Sequence, residues 1–239
     1  MRSPSLWLLL SLPACVTAQS PPGPPSYQDL RYEEDWSYLR SAHPADVWDP
    51  VKYISLGRSG WYTCGREARV RYEFFRNAAF GAAPESPYGF LIQRYLLHAD
   101  THLGSHVRFF TQAQSGLESW RAGGQRATDK DTLELHRAFV DIGTSGSVKE
   151  RWTLRLGRQE FEFGAGHYLS ASEVFNVRRS FDGARVIGQI GTWTFNALAA
   201  KPAETNPDIF DDLPDHTQSV WAAGIYGPHP VIRRANLSF

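Results

Sequence analysis

Arginine is the residue type whose spacing in this sequence most suggests a chemical role. Several arginines alternate with apolar residues in short segments that are rich in aromatic and β-branched side chains. Because alternate side chains of a strand point to the same side, these arginines would share one face of a sheet. A guanidinium offers paired donors that fit a carboxylate, so such a face would attract anions. The predicted pathway for an anionic solute consists of Arg69, Arg71, Arg94, Arg108, Arg137, Arg155 and Arg185, with Glu67, Asp100 and Asp141.

Three further arginines are predicted to be loop contacts near this pathway, and two interpretations of the whole set remain open. In the first, the arginines bind the carboxylates of a passing solute, and the interleaved acids hold them in place. In the second, arginines and acids are structural ion pairs that fill a polar interior and favour no solute. The predicted loop contacts are Arg158, Arg178 and Arg179.

His98, Asp100 and His102 alternate along one predicted strand and would present three potential metal ligands on one face. Residues two apart on a strand lie about 7 Å from each other, so a shared metal would need a further ligand such as His106. The same pattern is expected of ordinary polar residues on a water-facing sheet. We therefore predict no metal and no other cofactor.

Composition and motifs argue against several classes of function. Basic and acidic residues both total 25, so the formal net charge is zero and no nucleic-acid partner is indicated. The segment Gly143–Ser147 lacks the Gly-x-Ser-x-Gly spacing of a nucleophile elbow, and the sequence contains no phosphate-binding loop. We predict that the protein is not an enzyme.

The N-terminal region predicts export. Arg2, the apolar run Leu6–Leu12 and the small residues Val16 and Ala18 are typical of a secretory signal peptide, predicted over residues 1–18. A lipoprotein cleavage site before Cys15 is the less favoured alternative. Cleavage after residue 18 would leave Cys64 without a second cysteine in this sequence, so no intrachain disulfide is predicted. Residues 19–60 are predicted to be a proline-rich leader and an ordered lead-in that packs at one rim of the fold.

Residues 61–239 are predicted to form strands that each have one apolar and one mostly polar face. The hairpin Tyr88–Ser115, with its turn at Gly104-Ser105, shows this pattern best. The other predicted strands are Trp61–Phe75, Leu133–Ile142, Arg151–Glu162, Phe181–Ile190, Thr192–Lys201, Gln218–Tyr226 and Val231–Phe239.

The connections between the predicted strands alternate between long and short. This alternation is typical of an up-and-down outer-membrane barrel, which has short periplasmic turns and long extracellular loops. A soluble sandwich has no reason to alternate its connections. The predicted fold class is therefore all-β, an antiparallel up-and-down transmembrane β-barrel. The strand count is nine, whereas bacterial single-chain barrels close with an even number, so we expect an incomplete barrel.

Several segments resemble the bacterial alginate-export family of outer-membrane porins. The resemblance extends from about Leu30 to about Gly227 and implies a large barrel of roughly eighteen strands, with an arginine-lined lumen that passes an anionic uronate polymer. By this comparison the chain is an N-terminal half of such a barrel. The segments are LRYEEDWSYLR, WDPVKYISLG, LIQRYLLHADTHLG, LELHRAFVDI, LRLGRQEFEFG and NVRRSFDGARV.

The predicted function is that of an outer-membrane porin that passes anionic saccharides such as alginate-like uronate polymers. The resemblance implies residence in the bacterial outer membrane, with outer-membrane lipid and the barrel-assembly machinery as partners. The alternative from another class is a soluble secreted β-domain that binds carbohydrate on exposed aromatic residues.

Overall fold

The computed structural model describes residues 27–28, 30–41, 46–82, 87–144, 150–162, 170–171 and 173–227. Within these ranges, nine antiparallel strands form one open sheet whose strand order follows the chain. This arrangement confirms the predicted all-β, up-and-down fold and matches an incomplete barrel. The strands are β1 (Ile54–Leu56), β2 (Gly60–Phe75), β3 (Tyr88–Leu103), β4 (Val107–Ser119), β5 (Asp131–Gly143), β6 (Glu150–Gln159), β7 (Phe181–Ile190), β8 (Trp193–Pro202) and β9 (Val220–Tyr226).

Strands β2 to β9 correspond to strands predicted from the sequence, but β1 was not predicted. It lies inside the predicted lead-in and pairs only with Gly60–Tyr62 of β2. Beyond Tyr62, the outer edge of β2 has no neighbouring strand among the described residues. The predicted strand Val231–Phe239 and the predicted signal peptide lie outside the described residues.

The two longest strands, β2 and β3, contain 16 residues each and pair without interruption. A strand of this length extends about 50 Å, well beyond the usual strand of a soluble domain. The turn from β3 to β4 is tight, and Gly104 adopts a φ of 67° there. Glycine adopts this left-handed conformation without the steric cost that a Cβ would bring.

Long and short connections alternate along the chain. Because successive strands are antiparallel, this alternation places the long connections at one end of the sheet and the short ones at the other. The long connections span residues 76–87, 120–130, 160–180 and 203–219, and the short ones span residues 104–106, 144–149 and 191–192.

The two faces of the sheet reverse the usual order of burial. Large apolar side chains such as Tyr72, Phe74 and Leu97 are at least 60% exposed, whereas Arg94 and Arg137 on the opposite face are at most 1% exposed. A soluble domain buries its apolar side chains and leaves arginine in water. An apolar outer face and a polar inner face are what a membrane barrel requires.

The lead-in lies on the polar face itself and not only at an end of the sheet. It contains two short 3₁₀ turns (Arg31–Glu33 and Ser37–Arg40) and one short helix, α1 (Asp49–Lys52). Tyr32 is buried between Phe110 of β4 and Phe139 of β5, with ring centroids 5.7 and 5.3 Å away. Among the described residues, no helix is long and apolar enough to cross a membrane.

Candidate functional site

A row of charged residues crosses the polar face at one level, from β3 to β7. Antiparallel register aligns His102 with Arg108, Arg108 with Asp141, Asp141 with Arg155, and Arg155 with Arg185. Neighbouring strands are about 4.8 Å apart, so these side chains form a continuous band. We call the four basic residues of this band, His102, Arg108, Arg155 and Arg185, the basic row.

The arginines of the basic row have different partners. Arg108 donates from Nε and Nη2 to the two carboxylate oxygens of Asp100, at 2.7 and 2.6 Å. Arg155 makes the same forked contact with Asp141, at 2.7 and 2.8 Å. Arg185 donates from Nε and Nη2 to one oxygen, the amide Oδ1 of Asn196, at 3.0 and 2.8 Å. Two guanidinium charges in the row are therefore balanced by a bound carboxylate, and the third is held by a neutral amide.

Tyr32 of the lead-in lies against the basic row. The Arg155 guanidinium lies over the rings of Tyr32 and Phe139, at 4.3 and 3.9 Å from their centroids. The Tyr32 hydroxyl donates to the main-chain carbonyl of Glu160 at 2.8 Å. Burial raises the pKa of Tyr32, even though the charges of Arg155 and Arg137 oppose this, so the hydroxyl stays protonated and able to donate.

Glu160, just beyond β6, collects three basic side chains at a point of irregular strand pairing. The register of β4 and β5 shifts between Gln112 and Ala113, and this bulge turns both His136 and Arg137 inward. His136 Nε2 lies 2.5 Å from one Glu160 oxygen, while Arg137 and Arg178 bind the other. Burial alone would raise the pKa of Glu160, but the charge of Arg137 and the contact with His136 outweigh it, so this pKa lies well below its usual range.

A third group of ion pairs joins β2 and β3 to the lead-in and to the connection before β7. Arg94 binds Glu67 at 2.9 Å and Glu173 at 2.5 Å. Glu67 also accepts from Arg31 of the lead-in at 2.8 Å, and Glu173 accepts from Arg69 at 3.1 Å. Arg71, further along β2, pairs with Glu73 at 2.6 Å. Each guanidinium in this group therefore has a carboxylate partner.

Arg158 was predicted to be a loop contact but lies within β6, on the polar side. Gly157 before it has a φ of 122°, and a Cβ there would lie 2.3 Å from the carbonyl oxygen of Ala138. This glycine interrupts the alternation, and both residues that follow it are buried. Arg158 then binds Asp182 through Nε and Nη2, at 3.0 and 2.8 Å.

The other two predicted loop contacts do lie in the connection before β7. Arg178 is buried and binds Glu173 at 2.8 Å in addition to Glu160. Arg179 is exposed, and its main-chain NH donates to the carbonyl of Ala171. Of these two neighbours, Arg178 therefore belongs to the network on the polar face and Arg179 lies at its surface.

Several donors on the polar face have no protein partner within the described parts of the chain. They include Nη1 of Arg94, Arg137 and Arg155 and the side-chain amides of Gln112 and Gln114. A guanidinium has five NH donors, and a forked carboxylate contact uses only two of them. The ion pairs therefore fix the orientation of the arginines and leave some buried donors without a protein partner.

The predicted alternating triad does not form a set of converging ligands. The His98 ring stacks on Phe110, with centroids 5.7 Å apart, and His102 stacks on Trp61 at 4.0 Å. Asp100 is engaged by Arg108, with His102 Nε2 3.2 Å away. Each member of the triad is therefore occupied by a packing or ion-pair contact.

Sequence reasoning missed the residues that complete these networks. Tyr32, His136 and Glu160 all occur within the segments used for the family resemblance, but none was assigned a role. His136 falls on the apolar side of a regular alternation, and only the bulge turns it inward. The spacing of the residues around His136 in the sequence gave no indication of that bulge.

A sheet that buries its ion pairs and exposes its apolar side chains has the character of a membrane-barrel wall. The sequence model of the alginate-export family matches residues 60–235, most of the chain. This chain therefore belongs to the alginate-export family, whose members are outer-membrane transport porins. No curated protein and no solved structure matches it significantly.

Proposed function

We propose that this chain forms part of the wall of an outer-membrane porin, and that anionic saccharides such as alginate-like uronate polymers pass along its polar face. The observation that carries the proposal is the pair formed by Arg155 and Arg185. These residues are register partners on β6 and β7, and Arg185 is bound to an amide where Arg155 is bound to a carboxylate. The pair therefore keeps positive charge on the side of the sheet that would face the lumen.

Transport by this mechanism involves no chemical step. A solute carboxylate exchanges part of its hydration shell for guanidinium donors, and then moves to the next donors along the wall. Passage requires weak binding at several sites, since a single tight site would hold the solute. The acids of the polar face keep the binding weak. They pair with most of the arginines and so lower the affinity of each arginine for an anion.

The exposure of Arg185 supports its assignment as a contact residue. It is only partly buried, whereas Arg155 is 4% exposed. Tyr32 and the Glu33 carboxylate on the lead-in act on Arg185 electrostatically, and the hydrogen bonds of Arg185 go to Asn196 and to the Tyr32 side chain. Because no acid within the described residues is bound to Arg185, it can take a solute carboxylate without first breaking an ion pair, which would cost more than displacing water.

The proposal is tested by the reversal potential of the full-length protein in planar bilayers under a salt gradient. Arg185→Gln should lower the preference for anions over cations, and Arg185→Lys should keep most of it because the charge remains. Arg66→Gln is the matched control, since Arg66 is exposed on the opposite face, over the ring of Trp48. An unchanged reversal potential in Arg185→Gln would overturn the assignment of anion selectivity to this residue.

A further inference from the structure

Three buried carboxylates meet where β5 begins beside the connection from β8 to β9. Asp131 and Glu134 belong to β5, and Asp212 belongs to the connection. One oxygen from each lies within 4.8 Å of the others, and the three residues are at most 4% exposed. Carboxylates this close repel one another strongly in a buried environment, so something must offset their charge.

Asp131 is the member of this group with an unsatisfied oxygen, although its carboxylate accepts a hydrogen bond from the main-chain NH of Leu133. Its Oδ1 is fully buried, and no hydrogen-bond donor reaches it within the part of the chain that the structure describes. A buried carboxylate oxygen without a donor costs far more than a neutral polar atom in the same position. The oxygen is therefore available to act as a ligand atom for a cation.

The other two carboxylates are held in position by main-chain and side-chain donors. Glu134 Oε2 accepts from the main-chain NH groups of Asp211 and Asp212, at 3.1 and 3.2 Å. The two oxygens of Asp212 accept from the side chain and the main-chain NH of Asn206, both at 2.8 Å. This group is therefore preorganised and does not have to assemble when it binds a ligand.

Among the described residues around this group, the acids outnumber the arginine that binds them. The Arg158 guanidinium binds Glu134 at 2.5 Å, but it is shared with Asp182 and with Asp211, at 2.8 and 3.1 Å. The charge of Asp208 also acts on Asp131. One arginine therefore serves several acids, and Asp131 is not among those that it binds.

We propose that Asp131, Glu134 and Asp212 bind a divalent cation of the calcium type. The donor set consists of carboxylate oxygens, which suit hard cations, whereas zinc sites use histidine or cysteine. Asp131 and Glu134 also line a cavity of about 280 Å³, which has room for the water that would complete the coordination shell. The cation would tie the connection 203–219 to the start of β5.

The test is calorimetric titration of the purified full-length protein with calcium chloride, after chelator treatment and dialysis. The wild-type protein should bind one calcium ion per chain. Asp131→Asn should weaken this binding at least tenfold, and because Oδ1 has no hydrogen bond, the change should leave folding intact. Asp215→Asn is the matched control, since Asp215 lines the same cavity but its carboxylate accepts from Thr217 outside the group.

The outcomes separate a metal site from a purely structural acid cluster. Absence of saturable calcium binding in the wild-type protein would overturn the proposal, and so would equal affinity in Asp131→Asn. Tight binding by the wild-type protein and by Asp215→Asn, with loss in Asp131→Asn, would support it. Circular dichroism of each variant in detergent shows whether a loss of binding is only a loss of fold. The site does not depend on anion selectivity, so the test stands apart from the bilayer experiment.

Discussion

Arg155 and Arg185 lie directly opposite each other on β6 and β7, yet one is bound to a carboxylate and the other to an amide. The difference separates two roles that a row of arginines can have. Arg155 is tied to Asp141 and stacked on Tyr32 and Phe139, as a structural residue would be. Among the residues that the structure describes, no acid is bound to Arg185, so its charge is available to the interior.

Stability measurements should distinguish these two arginines. Arg155→Gln leaves Asp141 buried without its main partner and should cost about 3 kcal/mol of unfolding free energy. Arg185→Gln removes hydrogen bonds to an amide and should cost about 1 kcal/mol. Urea unfolding of the protein in lipid vesicles, followed by tryptophan fluorescence, measures both. The double variant Asp141→Asn with Arg155→Gln should recover much of the loss, and equal costs for the two single variants would contradict the distinction.

The buried Glu160 carboxylate should make the stability of the protein depend on acid pH. Its pKa is lowered in the folded state, so its stabilising contribution is complete above its unfolded pKa of about 4.3 and is lost as the pH falls below that value. The unfolding free energy of the wild-type protein should therefore decrease between about pH 5 and pH 3. Urea titrations at several pH values measure this slope.

Glu160→Gln supplies the control for that pH dependence. It should be destabilised at pH 7 by about 3 kcal/mol, because Arg137 and Arg178 lose their shared carboxylate. The same variant should lose less stability on acidification than the wild-type protein does. A slope equal to that of the wild-type protein would show that other carboxylates, and not Glu160, set the acid sensitivity.

Tyr32 should narrow the path along the polar face. Replacing it with alanine removes a ring that fills the space between Phe110 and Phe139, so single-channel conductance should rise. Tyr32→Phe keeps the ring and loses the hydroxyl with its hydrogen bonds to the Glu160 carbonyl, Arg155 and Arg185, so its conductance should stay near the wild-type value at a cost of about 1 to 2 kcal/mol in stability. Tyr27→Ala serves as a control on the same segment, because Tyr27 is exposed. Unchanged conductance in Tyr32→Ala would place the narrowest point elsewhere.

A charge introduced on the apolar face should separate a membrane barrel from a soluble carbohydrate-binding domain. Leu154 lies near the middle of β6, and it is exposed beside its apolar register partners Ile142 and Val186. In a barrel, Leu154→Arg should cost about 2 to 4 kcal/mol, since the side chain would enter the hydrocarbon region. In a soluble domain the same change would be nearly neutral. The readouts are the amount of protein in the outer-membrane fraction and its urea midpoint in vesicles, and unchanged values for both would argue against the barrel.

The regular features of the fold could be predicted from the sequence because they rest on period-2 alternation. The face of β3 that carries Arg94, His98 and Asp100 was assigned correctly, and so was the tight turn at Gly104. A register shift by one residue would exchange the two faces, so alternation over 16 residues leaves little freedom. The same alternation, combined with loop lengths, was enough to predict the up-and-down order.

The irregular features could not be predicted, because they arise where alternation fails. The bulge in β5 turns His136 inward, and the left-handed Gly157 does the same for Arg158. The acid group of Asp131, Glu134 and Asp212 was missed for a different reason, since its members come from segments about 80 residues apart in the chain. Their proximity depends on which strands are neighbours at one end of the sheet. It cannot be read from the spacing of residues within any one segment of the sequence.

The contact between Tyr32 and Glu160 also bears on the order in which the protein folds. These residues are 128 positions apart, whereas neighbouring strands join through local hairpins. Closing so long a loop is slow. The contacts that stabilise the closed loop form only after β4, β5 and β6 have brought Phe110, Phe139 and the Glu160 carbonyl into place. Docking of the lead-in is therefore expected late in folding, and in a variant whose single tryptophan is Trp36 of the lead-in, time-resolved fluorescence during refolding would report when that part of the wall is complete.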